Sequence, residues 1–283
     1  MAGKPGNNMR YTIYIIIFLF VLLRPAFSQT VETLSVSGLN GPNGFALDKT
    51  GVLYVSNETG KEVVRIINDS IVEKVLDADS PCGLDFDGQG NLYIINFFSG
   101  IVLRKTNNSI DTFARGLDKP ADIKWDGKAS LYVSQYEKGS IIKINQDGEL
   151  VEFATKLKNP FGLSFDDVGN LYVASNATGE IDKVSPAGTV SFFAQIPGAA
   201  SYIAMNRKTG KLYVPCFSCH KIYAITKEGE VGLLTGDGTA GNKNGSLGDA
   251  QFEGPNSIVV SPGGLYISEF TSNRIRKITG LEK

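Results

Sequence analysis

Beyond residue 30 the chain alternates short apolar runs with turn residues, and no stretch keeps its apolar positions at helical spacing. Runs of about five residues read as strands. Phe45-Ala46-Leu47 ends one such run. Glu62 to Ile67 alternates polar and apolar positions, with half its side chains turned inward. Between runs stand clusters such as Asp87-Gly88-Gln89-Gly90, where glycine and aspartate supply the backbone angles of tight turns.

The pattern repeats. Leu-Tyr recurs at Tyr54, Tyr93, Tyr132, Tyr172, Tyr213 and Tyr266, with tyrosine spacings of 39, 39, 40, 41 and 53. Each unit reads as four strands: a short apolar strand a, strand b carrying Leu-Tyr, an alternating strand c, and strand d. Four strands at a period near 40 mark a propeller blade. Six a-b-c units occur, with five d strands near residues 70, 109, 149, 189 and 230. The sixth d strand is expected at Thr30–Val36, beside Arg274–Ile278, which would close the ring and protect its terminal edges. The expected fold is all-β: a six-bladed β-propeller of four-stranded blades, closed by the N-terminal strand of the mature chain and spanning residues 29–283.

The first 28 residues read differently. Lys4 and Arg10 precede the apolar run Tyr11–Leu23, and Ala26-Phe27-Ser28 follows. That order is expected of a secretory signal peptide cleaved after Ser28, with an uncleaved anchor as the alternative. The apolar run is shorter than the roughly 20 residues of a membrane span. Export would place the mature chain outside the cell or in a periplasm, with no span left. Without Lys4, Arg10 and Arg24 the formal charge moves from −1 to −4, which argues against a nucleic-acid partner. Three cysteines are too few for a disulfide framework, and a core of this size needs no staples. A monomer is expected. Five Asn-x-Ser/Thr sequons, at Asn57, Asn68, Asn107, Asn176 and Asn244, mostly fall at turn positions, where turn chemistry explains them equally well.

Residues 235–279 resemble an NHL repeat. The likeness lies in Gly236-Asp237-Gly238-Thr239-Ala240-Gly241, in Ala250-Gln251-Phe252 before Gly254-Pro255, and in Asn273-Arg274-Ile275. It accounts for the 53-residue spacing. The other units keep proline, turn glycines and Leu-Tyr. The resemblance implies a six-bladed propeller acting as an interaction platform. More distantly, the chain is similar to the gluconolactonase/senescence-marker-protein enzymes and the strictosidine-synthase-like propellers. The family pattern carries Asp at the end of strand b, whereas this chain has Asn57, Asn96, Gln135, Ser175, Cys216 and Glu269 there.

In such a ring, the starts of the a strands and the ends of the b strands are expected to share one face around the central channel. The a-strand starts offer Asn43, Cys82, Asp122, Phe161, Tyr202 and Asn256; the b-strand ends offer the six residues above, with Asn176 adjacent. The ligand-binding set expected from these is Asn43, Asn57, Asn96, Asp122, Gln135, Asn176, Tyr202, Cys216, Asn256 and Glu269. Such polar groups suit a small polar ligand, a glycan or a protein loop. They also suit weakly held Ca²⁺ or another divalent ion, though no cofactor is expected. The alternative is that they cap strand ends and satisfy one another. The gluconolactonase resemblance implies a metal-dependent lactone or ester hydrolase, but Asn43 stands where that family places its first glutamate. The channel acids left for catalysis are Asp122 and Glu269.

Cys216-Phe217-Ser218-Cys219-His220 spells the C-x-x-C-H spacing of c-type haem attachment, with His220 the only histidine. Aligned on Tyr213, it falls on the b–c turn of blade five. Haem would use Cys216, Cys219 and His220 with a sixth ligand, for which only Met205 remains beyond the leader. The competing readings are a local disulfide, free thiols or a transition-metal site.

Overall fold

The computed structural model describes residues 1, 3 and 28–281. The signal peptide expected over residues 1–28 falls almost wholly outside the described residues. No helix among those described is long and apolar enough to cross a membrane.

Six antiparallel sheets follow one another around a central axis. Blade one runs Pro42–Leu47, Leu53–Asn57, Glu62–Ile67 and Ile71–Asp77 as strands a to d. Blades two to five repeat that order. Blade six takes Pro255–Ser261, Gly264–Glu269 and Arg274–Thr279 from the C-terminal end and Thr30–Thr33 from the N-terminal end. Thr30 pairs with Thr279 and Thr33 with Arg276, so the expected closing strand is present, over Thr30–Thr33. Blade six also holds a fifth strand. Gly245–Ser246, from the loop behind the long repeat spacing, pairs outside the closing strand at Val31 and Thr30. That loop covers an edge that would otherwise face solvent.

The channel wall is made by close approach of a strands. Gly44, Gly83 and Gly162 occupy the second position after the strand's proline. A Cβ at Gly44 would lie 2.4 Å from the Cys82 carbonyl oxygen, and one at Gly162 2.4 Å from that of Ser201. Serines on strand b stitch the same seam: Ser134 Oγ donates to the Phe161 carbonyl (2.6 Å) and Ser268 Oγ to that of Asn43 (3.0 Å). Blade five departs most. Its strand a has no proline and runs only Ala204–Asn206, while the Tyr202 amide leaves its own blade to bond the Asn256 carbonyl of blade six (3.2 Å).

One buried carboxylate on strand c of blade four is expected to cost the fold stability. Asp182, 7% exposed, is pushed up to about 6 by burial, then by nearby Glu180, with Lys158 pulling the other way. A carboxyl raised on folding binds more protons folded than unfolded between roughly pH 4 and 6, so stability falls as pH rises across that window. Asp182→Asn is expected to be more stable than the parent by about 1–3 kcal/mol at pH 7 and by much less at pH 4. Urea midpoints at both values check this; an equal difference at the two would contradict it.

Candidate functional site

The strand-b ends sit opposite the first residue of strand a in their own blade: Asn57 opposite Pro42, Asn96 opposite Pro81, Gln135 opposite Pro120, Ser175 opposite Pro160 and Glu269 opposite Pro255. Their side chains hold local structure instead of pointing across the channel. Asn57 Oδ1 accepts from the Asn40 amide (2.5 Å), Gln135 Oε1 from Asp118 (2.8 Å) and Glu269 Oε1 from Glu253 (3.0 Å), each two residues before the proline. Ser175 Oγ accepts from the Thr178 amide within its own turn (3.2 Å). The Oδ1 of Asn96 is buried without a partner. Glu269 is fully buried, and it also accepts from Ser272 Oγ (2.8 Å) and Arg276 Nη1 (3.0 Å). These strand-b ends thus serve mainly the lead-ins, and the residue after each lies on the other side of the pleat. Pleated neighbours alternate sides, so a slip of one moves the whole set.

The residue after each strand-b end, four beyond the repeat tyrosine, reaches the face of the ring. These are Glu58, Phe97, Tyr136, Asn176, Phe217 and Phe270, each half-buried. In five blades the amide of this residue donates to the carbonyl just before strand a, at 2.9 Å from Glu58 to Gly41 and 3.1 Å from Phe97 to Ser80. With the backbone so fixed, each side chain leans on the next blade's lead-in. Glu58 accepts from Ser80 Oγ (3.4 Å), and Phe97 takes the Lys119 ammonium over its ring (5.4 Å). Tyr136 meets Phe161 edge-on (6.1 Å), and Asn176 Nδ2 donates to Ser201 Oγ (3.4 Å). Phe217 packs beside Gly254, and Phe270 beside Gly41. The rim is therefore four aromatics, one amide and one acid. Of these only Asn176 was a sequence candidate; the Tyr-plus-four register was the signal for the rest.

Beneath the rim lies a floor of strand-a starts: Asn43, Cys82, Ala121, Phe161, Tyr202 and Asn256. All but Phe161 are buried. Asn256 Nδ2 donates to Asn43 Oδ1 (2.8 Å), and Asn43 Nδ2 donates to Glu58 Oε2. Tyr202 stacks edge-on against Phe161 (5.0 Å), and its hydroxyl donates to the Ala121 carbonyl (3.3 Å). Burial raises the Cys82 thiol well above its ordinary range, and Glu58 adds to the rise, so Cys82 stays a neutral thiol. Burial likewise raises Glu58, opposed by the bonds from Asn43 and Ser80. Glu58 enters no ion pair among the described residues.

Asp122 stands one residue past the floor, where blades one, two and four have glycine. Its Oδ2 accepts from the Leu163 amide (2.9 Å) and its Oδ1 from the Ile123 amide (2.8 Å) and Lys124 Nζ (3.0 Å). It ties blade three to blade four. Below, a cavity of about 200 Å³ is lined by Phe45, Asp85, Lys124, Ser164 and Met205 among others.

These donors do not fit a divalent ion. The Asn43 oxygen is turned to Asn256, Asp122 is taken by backbone amides and a lysine, and no group of three His, Cys, Asp or Glu among the described residues could hold a metal.

The C-x-x-C-H stretch is the b–c turn of blade five, as its alignment implies. His220 adopts φ of 56°, a left-handed position shared by Lys61, Gly100, Gly139, Gly179 and Asn273 in the sister turns. Cys216 and Cys219 form a disulfide, leaving Cys82 as the free cysteine. Both sulfurs that haem attachment through Cys216, Cys219 and His220 would use for thioethers are bonded to each other in this structure. The His220 Nδ1 accepts from the Gly254 amide (3.2 Å).

No protein-family profile matches the chain, and no curated protein matches it in sequence. Among solved structures it is similar to an auxiliary nutrient binding protein from Bacteroides thetaiotaomicron, at 16% identity and TM-score 0.78, over 88% of this chain and 76% of that one. A gluconolactonase from Xanthomonas campestris aligns at 19% identity and TM-score 0.70, over 88% of each chain. The virginiamycin B lyase of Staphylococcus aureus aligns at 16% identity and TM-score 0.69, over 89% of this chain and 99% of that one.

Proposed function

We propose that this six-bladed propeller is an exported, non-enzymatic binding protein whose rim takes a neutral or cationic polar ligand, such as a glycan. The observation that carries the reading is the ring of half-buried residues at Tyr-plus-four. Phe97, Tyr136, Phe217 and Phe270 offer aromatic faces, while Asn176 and Glu58 offer directional hydrogen bonds. Aromatic walls with a few placed polar groups are the usual make-up of a small-ligand site. Among the described residues Glu58 has no ion-pair partner, and its ionised form would repel anions. The likeness to a nutrient binding protein supports the same reading.

A hydrolase is less well supported. Asp122 and Glu269 are held by backbone amides and basic side chains, and Cys82 is a neutral thiol. None of these three is an activated nucleophile beside a base.

Isothermal titration of the mature protein against neutral oligosaccharides, amines and sugar acids tests the proposal. Neutral or amine members are expected to bind. Tyr136→Ala and Phe217→Ala should each weaken binding about tenfold, roughly 1.4 kcal/mol. Sugar acids alone binding would reject it. Metal-dependent turnover of a lactone, lost in a folded Glu58→Gln variant, would replace binding with catalysis.

A further inference from the structure

The disulfide does work that other side chains do elsewhere in the ring. In blades one, three and six, the strand-b end bonds the lead-in to its own strand a through Asn57, Gln135 and Glu269. Blade five has Cys216 at that position and no proline to start strand a. Its lead-in, Pro197 to Ser201, lies against sulfur. The Pro197 carbonyl oxygen is 3.2 Å from Cys216 Sγ and also contacts Cys219 Sγ. Gly198, at φ of 96°, packs so closely that a Cβ there would lie 2.8 Å from Cys219 Sγ and 3.1 Å from Cys216 Sγ. The turn itself does not require the bond, because five sister turns reach the same left-handed residue without it.

The two sulfurs differ in access. Cys216 is fully buried, within an apolar cluster that includes Ile196, Ala200 and Val214, whereas Cys219 is half-buried at the rim. Thiol exchange requires that an incoming thiolate reach one sulfur, and here that sulfur is Cys219.

We propose that Cys216–Cys219 is an exchangeable disulfide: closed, it positions the lead-in of blade five, and a dithiol reductant opens it. One thiolate of the reductant attacks Cys219 Sγ. The S–S bond breaks toward Cys216, which takes its proton from the reductant's second thiol. That second sulfur then attacks the mixed disulfide, releasing Cys219 thiolate to be protonated by water. The protein gains two electrons and two protons, and the reductant leaves as a disulfide.

Two thiols must stand further apart than two bonded sulfurs, and Pro197 and Gly198 fill the adjoining space. Opening therefore displaces the lead-in. It carries Ser201, which accepts from Asn176, and Tyr202, which packs on Phe161, so the displacement reaches the rim and floor. This inference does not depend on the identity, or the existence, of a ligand.

The test uses the folded full-length mature protein with dithiothreitol under native conditions. Trapping with iodoacetamide and peptide mass mapping should show Cys219 modified before Cys216, with the circular dichroism spectrum unchanged. Amide hydrogen exchange over residues 196–203 should quicken at least tenfold, while residues 115–119, the lead-in of blade three, stay unchanged. In Cys216→Ala, glutathione disulfide should form a mixed disulfide on Cys219. A disulfide that resists reduction until the protein unfolds overturns the proposal. So does opening that leaves exchange over 196–203 unaltered. The wild-type measurement stands even if the variant fails to fold.

Discussion

Arg276→Ala is expected to destabilise the protein by about 3–5 kcal/mol, a fall in Tm on the order of 10 °C. The guanidinium is fully buried on strand c of blade six. Its Nη1 donates to Glu269 Oε1 (3.0 Å) and to the Gln251 carbonyl (2.5 Å). Its Nη2 donates to the Lys243 carbonyl (3.0 Å) and Asn244 Oδ1 (2.9 Å), and the group lies 4.9 Å from the Phe252 ring centre. One side chain thus fixes the loop behind the long spacing onto the last blade. Removing it leaves Glu269 as a buried carboxylate without its cation and takes one donor from each of two carbonyls, of which that of Lys243 keeps the Gln251 amide. Most of the cost is that stranded charge, because a buried pair in itself contributes little net stability. The double variant Arg276→Met, Glu269→Met should therefore recover much of the loss. Calorimetry on the single and double variants decides. A double variant no more stable than Arg276→Ala would show that the loop contacts dominate.

Val31→Asp is expected to be comparably severe, at roughly 3–5 kcal/mol. Val31 is 1% exposed in the closing strand, paired with Ile278 on one side and Gly245 on the other. It packs in a cluster with Ala250, Phe252, Ile267 and Ile278. A carboxylate there meets no donor and forces the strand outward, opening the ring along a sheet edge. Exposed Glu32, next in the same strand, is the control: Glu32→Ala should change stability by no more than about 0.5 kcal/mol. Denaturant midpoints and limited proteolysis at the N-terminal end read the difference. Equal behaviour of the two variants would mean that the closing strand does not hold the ring.

The candidate site was legible in part. Asn43 and Asn256 do gather on one floor, each directly after the proline that starts its strand a, and Tyr202 joins them without such a proline, through the bond of its amide to the Asn256 carbonyl. Asn176 does reach the rim. Glu58, Phe97, Tyr136, Phe217 and Phe270 share its register without being sequence candidates. The candidates end one residue short of them, at the position where the NHL-like pattern carries its acid. Glu269 looked like a channel acid because its only visible context was that position. Its partner Arg276 sits directly on the next strand, and nothing in the spacing announced that both are fully buried.

By itself the sequence determined the fold. A period near 40, one Leu-Tyr per unit and a missing last strand leave one way to bury six sets of strands and close the ring, because unpaired edges and exposed apolar faces are both costly. Only the tertiary structure decided which side chains face a ligand and which hold the scaffold. That depends on a single step of pleat at the end of strand b and on contacts between residues hundreds of positions apart, such as Asn43 with Asn256. It also gave Cys216–Cys219 its setting. The spacing allowed a haem, a metal, free thiols or a disulfide; the folded chain has the disulfide, with Pro197 and Gly198 of the lead-in set against its sulfurs.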